Sequence, residues 1–343
     1  MLAAAWRQDT LRETGDPLID PANLQRFLRA HRLPPLDRFG QHVLVDGEIL
    51  RDIVNASETD PTIPVVEIGA GLGVLTRALA GSRQEAALLR HPTSPVRGGM
   101  RGTRDSAGQI DNRQEGPAPL IAVEIDRRLV PLLRERVREF PAVRVVQADI
   151  LKISLQELLQ PNGSSPFAKA TGDKHLFDVV GNIPYNITAP IINKFLVRPP
   201  RPRRMTLLAD EAVASVIASK PPHMSLRSVS VQVYARPVVV GRRIPPVAFV
   251  PEPAVHSAIL TLRTYRQPLV SEGEERAFFR LVRAGFSQKR KILANALSAT
   301  YRLTPAEAAA RLRRAGLDPS RRAQTLAIAE WKRLLRAWEG KAH

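Results

Sequence analysis

Between residues 60 and 265 the apolar positions switch repeatedly from short unbroken runs to helical spacing and back. PVVEIGAG (64–71) is such a run and closes in a glycine turn; GVLTRALAG (73–81) follows with helical spacing. LIAVEID (120–126) is a second run, and in RRLVPLLRERVREF (127–140) Leu129, Leu132, Leu133 and Val137 share one helical face. VRVVQAD (143–149) and FDVVGNIP (177–184) supply a third and a fourth strand, with APIINKFLV (189–197) helical behind them. RMTLLAD (204–210), SVSVQVYARPVVV (228–240) and AILTLRTY (258–265) continue the sheet. Strands alternating with helices predict an α/β fold around a parallel-type sheet. Upstream, Leu24, Phe27 and Leu28 mark an amphipathic helix near 21–31.

Two segments break this rhythm. Residues 82–119 are rich in Gly, Pro, Ser and Arg, with no periodicity beyond the first few positions. A structureless loop of that length is unusual inside a compact domain. A mostly disordered insertion between helix and strand is expected, with a basic RNA-contacting loop as the alternative. Residues 160–174 read as a second, shorter insertion. After 265 the pattern turns wholly helical, in three stretches (274–299, 304–317, 325–340) separated by Thr-Pro and Asp-Pro signals. The expected division is an N-terminal extension (1–36), an α/β domain (37–266) and a small all-helical domain (267–343).

Composition narrows the chemistry. At 44% hydrophobic residues the 343-residue chain can build a sizeable core. The absence of cysteine excludes disulfides, thiolate zinc sites, iron–sulfur ligation and cysteine nucleophiles. The seven histidines form no ligand-spaced cluster, so no metal is expected. No run of 18 apolar residues occurs, so no membrane span is expected. Asp9, Glu13 and Asp16 near the start argue against a targeting segment, and the expected location is cytoplasmic. The net charge of +18 is uneven: +2 over residues 1–200 and +16 over 201–343. That asymmetry favours an anionic partner, nucleic acid ahead of acidic lipid.

Three constellations carry chemistry. In Glu67-Ile-Gly69-Ala-Gly71-Leu-Gly73, alternate glycines let the chain turn sharply and approach a ligand without Cβ clashes. The spacing is not that of the dinucleotide fingerprint, because position 74 is Val. Glu124 ends the second strand, where an acid can accept hydrogen bonds from ribose hydroxyls; a helix N-terminal role is the alternative. Asp149 ends the third strand, where a carboxylate can accept an adenine amine. Asn182-Ile183-Pro184-Tyr185 follows the fourth strand and is the most specific signal. An exocyclic ring amine is a poor nucleophile, because its lone pair is delocalised. The Asn182 side-chain oxygen and the Pro184 carbonyl, aimed at its hydrogens, favour pyramidal nitrogen. Tyr185 offers a face on which an extruded base stacks.

With these residues in this order, the chain resembles the KsgA/Dim-type rRNA adenine N6-dimethyltransferases. DRFGQHVLVD (37–46) is similar to an RFGQ[N/H]FL segment of that family, EIGAGLGVLT and AVEID to its first two cofactor motifs, and GNIPYNITAPII to its catalytic loop. FVPEPAVHSAILTL (249–262), FSQKRKILANAL (286–297) and AGLDPSRRAQTLAIAEW (315–331) resemble its later motifs. Departures are Val43 in place of Phe, Ala70 in place of Pro, and 209–216 without the usual basic pair.

The resemblance implies a Rossmann-like class I domain that binds S-adenosylmethionine. It implies dimethylation of two adjacent adenines in the 3′-terminal hairpin of small-subunit rRNA, in the pre-30S particle, by a monomer. Gln41, His42 and Val43 would close over the methionine end of the cofactor, beside Gly69 and Gly71. Glu124 would hold the ribose and Asp149 the adenine. Asn182, Pro184 and Tyr185 would position the target base, with Asn182 also at the cofactor, and Phe249 would stack on the base's other face. Arg290 and Lys291 would contact RNA or brace the helical domain. The alternatives are an Erm-like large-subunit rRNA methyltransferase, a DNA adenine methyltransferase, and a non-catalytic RNA- or DNA-binding scaffold of the same fold.

Overall fold

Several helix starts along this chain are written as short polar caps. Asp20 accepts from Asn23 N at 2.8 Å and opens α1 (Pro21–Ala30), with proline in the first turn, where no N–H is needed. After strand β1 (Val43–Leu44), Asp46 accepts from Glu48 N and Ile49 N to open α2 (Gly47–Ser57). The computed structural model describes residues 16–33, 41–90, 116–159, 177–288 and 290–339. The α/β part continues as β2 (Val65–Ile68), α3 (Val74–Arg90), β3 (Leu120–Glu124), α4 (Val130–Arg136), β4 (Val143–Gln147) and α5 (Leu155–Leu159). Then come β5 (Asp178–Asn182), α6 (Thr188–Val197), β6 (Arg204–Asp210), α7 (Glu211–Ala218), α8 (Leu226–Gln232), β7 (Ala235–Ile244), β8 (Phe249–Val250) and β9 (Ser257–Thr264). The chain ends in α9 (Glu272–Phe286), α10 (Leu293–Tyr301), α11 (Pro305–Arg314) and α12 (Ile328–Trp338).

The seven-stranded sheet runs β4-β3-β2-β5-β6-β9-β7. The first five strands are parallel; β9 lies antiparallel between β6 and β7. Chain order reverses between β2 and β5, and the crevice beyond such a switch point is where α/β sheets bind ligands. A separate two-stranded ribbon pairs Val43 with Val250 and Leu44 with Phe249.

Both faces of the sheet are covered, so its strands are nearly continuous apolar runs. Val66, Ile68, Ile121, Val123, Val179, Met205 and Leu207 belong to one buried cluster, together with Phe195 of α6, Phe278 of α9 and Trp331 of α12. Val65, Leu120, Val180 and Leu208 join a second, against α1, α2 and α3. The first cluster runs without a break from the sheet into the helical end. Met224 N bonding to Gln324 O and Leu293 N to Arg321 O tie further segments there.

Three expectations change. The stretch 228–240 is not all strand: Ser225 and Ser228 form a reciprocal capping box that opens α8, and Val229 and Val231 are buried on it. The strand starts only at Ala235. The pattern 274–299 is two helices, because the chain turns between Ser287 and Ile292. Last, α3 runs to Arg90 and takes in the first residues of the predicted 82–119 insertion. Arg83 on that helix is 2% exposed. It donates to the carbonyls of Asp60, Ile63 and Ala118 at 2.8, 2.9 and 2.8 Å, tying α3 to the segments that lead into β2 and β3. Residues 91–115 and the second predicted insertion lie outside the described residues.

Candidate active site

The ends of β2, β3, β4 and β5 converge on one cavity of about 450 Å³ at the switch point. Its wall includes Gln41, His42, Val43, Gly69, Gly71, Glu124, Asp149, Asn182, Pro184 and Tyr185. These lie far apart in sequence, and parallel strands ending at one edge bring them together.

The glycine turn is required rather than tolerated. Gly69, Gly71 and Gly73 have φ of +72°, +56° and +82°, a region L side chains rarely adopt. A Cβ on Gly73 would stand 2.7 Å from Leu133 Cδ1, and one on Gly69 3.3 Å from the Asn182 carbonyl oxygen. The turn thus packs directly on the strand that carries Asn182.

Glu124 is 1% exposed and organises the turn from across the sheet. Its Oε2 accepts from Gly71 N at 2.7 Å, and its Oε1 accepts from Asp126 N at 2.7 Å and from Gln41 Nε2 at 3.3 Å. Burial raises its pKa, against the opposing pull of the backbone donors of Asp126 and Gly71. Asp149 is more open. Its Oδ1 accepts from Leu151 N at 2.9 Å, and Lys152 stands 3.6 Å from its Oδ2. Ile125 lies between them at the rim, 45% exposed.

Asn182 donates from Nδ2 to His42 O at 2.9 Å. No described residue takes its Oδ1, which stays available for another donor. The Pro184 carbonyl accepts from Ile187 N at 3.1 Å in a tight 3-10 turn (Tyr185–Ile187), leaving one lone pair. The Tyr185 phenol is hydrogen-bonded to Ser257 Oγ. Burial raises its pKa, Ser257 opposes that, and Asp210 adds to it. The His42 ring lies nearly parallel to that of Tyr185, at 20° and 5.9 Å between centroids. Its Nδ1 is 2.7 Å from Pro251 O.

Phe249 departs from expectation. It is 1% exposed, absent from the cavity wall, and packed in the cluster behind α2, where Leu44 pairs with it. An apolar ring on a two-residue ribbon gains more from that core than from the opening. Arg290 and Lys291 are exposed in the turn between α9 and α10 and are not on the cavity wall.

Two residues were missed as participants. Glu67 is 1% exposed in the glycine motif, and its pKa is raised to about 8 by burial, with the nearby Thr76 hydroxyl opposing the shift and the Glu124 charge adding to it. It stands in the glycine motif and could have been found there. Ser257 sits in a quoted motif with nothing local to suggest its bond to Tyr185. Among the described residues no group of three or more His, Asp and Glu is placed to hold a metal ion.

A family model for ribosomal RNA adenine dimethylase matches residues 36–88 and 118–337. The break coincides with most of the predicted insertion. A protein of Dehalococcoides mccartyi described as ribosomal RNA small subunit methyltransferase A is 32% identical over 94% of this chain and 95% of its own length. One of the same description from Shouchella clausii is 32% identical over 92% of this chain and 93% of its own. Among solved structures, a dimethyladenosine transferase from Plasmodium falciparum matches with TM-score 0.63 at 19% identity, over 88% of this chain and 98% of that one. That likeness speaks for the fold. The 23S rRNA methyltransferase ErmE matches with TM-score 0.61 at 24% identity, over 86% and 99%, and also speaks for the fold.

Proposed function

The chain belongs to the ribosomal RNA adenine dimethylase family, and from that premise we propose that it dimethylates the N6 amino groups of two adjacent adenines in the 3′-terminal hairpin of small-subunit rRNA, with S-adenosylmethionine as methyl donor. One observation carries the reading: the two strand-end acids and the Asn182–Tyr185 loop stand on the wall of a single cavity. The relatives at 32% identity are described as small-subunit enzymes, which is why the small subunit is named.

The donor set fits a sulfonium nucleoside. Gln41 Oε1 is buried without a partner, an acceptor waiting for an ammonium or hydroxyl. Glu124 Oε2 keeps a lone pair beyond its bond from Gly71 N and holds the ribose. Asp149 takes the adenine amine. Gly69 and Gly71 leave room for the methionine end, over which Gln41, His42 and Val43 close. When bound, S-adenosylmethionine supplies an electrophilic methyl carbon.

The chain's own part is positioning and acceptor electrostatics. Asn182 Oδ1 and the free lone pair of Pro184 O accept the N6 hydrogens and turn the nitrogen lone pair outward. Tyr185 stacks on the base. An amide oxygen and a peptide carbonyl do not retain a proton, so the amine proton passes to solvent. Phe249 supports the ribbon that carries Val43 rather than touching the base. Arg290 and Lys291 contact rRNA phosphates. The enzyme acts as a monomer on the pre-30S particle in the cytoplasm; no described helix is long and apolar enough to cross a membrane.

The test is transfer of labelled methyl from the cofactor to undermethylated small subunits, followed by digestion to nucleosides. Label in N6,N6-dimethyladenosine is expected. Cofactor and subunit binding without label in that nucleoside would overturn the reading.

A further inference from the structure

The Asn182–Tyr185 loop is short and open on the cavity side, yet its chemistry needs the Tyr185 ring held in one orientation. The hold comes from across the sheet. Ser257 opens β9, is wholly buried, and is the hydrogen-bond partner of the Tyr185 phenol. It is a rigid point in the fold: its Cα pairs with Asp210 on β6 and with Ile244 on β7. A register shift on β7 between Val240 and Ile244 falls just there, and such irregularities re-aim side chains beside active sites. The residue before it is fixed as well, since Glu211 N donates to His256 O at 3.0 Å.

We propose that Ser257 is a positioning residue for methyl transfer: its hydroxyl, anchored at the centre of a three-strand ladder, fixes where the outer end of the Tyr185 ring stands, and so the place of the face against which the target base stacks. The inference rests on the reading of the Asn182–Tyr185 loop as the amine-holding loop. A phenol half-buried in the wall needs a partner for its hydroxyl, or the ring turns to find one in solvent. Ser257 supplies that partner from the sheet rather than from the loop, so the outer end of the ring is tied to the sheet. The same segment steadies the facing ring, because the Pro251 carbonyl lies 2.7 Å from His42 Nδ1. The two near-parallel rings are therefore both held from the β8–β9 connection. The charged group facing the phenol is Asp210, which is occupied in capping α7 through Ala212 N and Val213 N.

The experiment is a double-mutant cycle on the full-length enzyme with wild type, Ser257→Ala, Tyr185→Phe and the pair. Single-turnover transfer is measured at saturating cofactor and RNA, beside cofactor affinity and melting temperature. Each single variant should slow transfer about three- to tenfold, the worth of one hydrogen bond, with cofactor Kd unchanged. The pair should be no slower than either alone, since both remove the same bond. A generally loosened β9 would lower the melting temperature and multiply the two losses, and that result overturns the proposal. If Ser257→Ala fails to fold, Tyr185→Phe reports the same bond alone, and a wild-type rate for it overturns the proposal. Failure of wild type to transfer methyl would refute the functional reading instead, which keeps the two apart.

Discussion

The crevice over β2 and β5 and the helical end from α9 to α12 use charge in opposite ways. In the crevice, ionisable groups are few and each stands in its own setting: Glu124 is buried on the amides of Gly71 and Asp126, Glu67 is buried in the glycine motif, and Asp149 is more open. At the helical end they are many and exposed; residues 267–343 hold 16 basic and 7 acidic side chains. Part of that charge is structural, with Arg311 over Trp338, Arg280 over Tyr301 and Arg321 on Glu330. Residues 201–266 add a net +7, so the excess is shared between the far side of the sheet and the helices. A crevice built from single atoms should fail at one substitution, whereas a surface built from summed charge should fade by steps.

The largest effect expected is at the crevice. Asn182→Ala removes the side-chain acceptor for the amine and should slow transfer about 10²–10³-fold, as the loss of one preorganised electrostatic contact does. Cofactor affinity should stay within a few-fold, since Glu124 and Asp149 are untouched. Single-turnover rates and equilibrium dialysis check both, and a rate within threefold of wild type would remove Asn182 from the mechanism.

Glu67 tests whether a buried acid in that region acts through its charge. Its folded pKa of about 8 lies above the ordinary 4.5, so the native state holds the proton more tightly than the unfolded chain. Its contribution to stability is then full below about pH 4.5 and is lost as pH rises through the folded value. Glu67→Gln keeps the neutral shape and should remove that loss, on the order of a few kcal/mol by pH 8. Melting wild type and variant at pH 5, 6.5 and 8 should show the variant gaining with each step. Parallel curves would mean that Glu67 is not neutral in the fold.

How much of this was legible follows the same division. Gly69, Gly71, Glu124, Asp149, Asn182, Pro184 and Tyr185 were readable because each sits where a strand becomes a turn, and that junction leaves a local signature. Phe249 was misplaced because a motif names a residue and says nothing of which way a two-residue ribbon faces. The alternating Val229, Val231 and Val233 read as strand, yet Ser225 and Ser228 cap a helix there, and packing overrode β-propensity. The break between α9 and α10 was hidden because it falls in the polar run 287–291, which holds neither proline nor glycine to mark a stop. Just before it, Gly285 lies so close against Trp331 of α12 that no Cβ fits between them. The Ser257–Tyr185 bond spans 72 residues and has no sequence signal at all.

On the basic side the informative perturbation is charge reversal, because truncation after 266 would strip Phe278, Trp331 and Leu334 from a cluster they share with the sheet. Arg290→Glu with Lys291→Glu alters an exposed turn and should leave the rate at saturating RNA unchanged. RNA affinity should fall, and the slope of log affinity against log salt should drop by roughly 1.5, two phosphate contacts' worth. A changed saturating rate with an unchanged slope would place the pair in the domain's architecture instead.

The smallest effect separates two neighbours on that surface. Arg321 donates from Nη1 and Nη2 to the two Glu330 oxygens at 2.6 and 3.1 Å and from Nη2 to Thr325 O at 2.6 Å. Arg322, next in sequence, is exposed. With both partners of the Arg321 pair partly exposed, the fork is worth about 1 kcal/mol after solvent screening. Arg321→Gln should therefore lower Tm by about 2–4 °C and leave the salt slope of RNA binding alone, while Arg322→Gln should do the reverse. The Arg321 hydrogen bond holds Glu330 below the usual carboxylate range. Its stabilisation is present above about pH 4.5 and is lost as pH falls through that lowered value, so the Tm gap between wild type and Arg321→Gln should close in acid. Equal salt slopes for the two variants would mean that no line divides structural from RNA-facing arginines here, and the contrast with the crevice would then be one of degree.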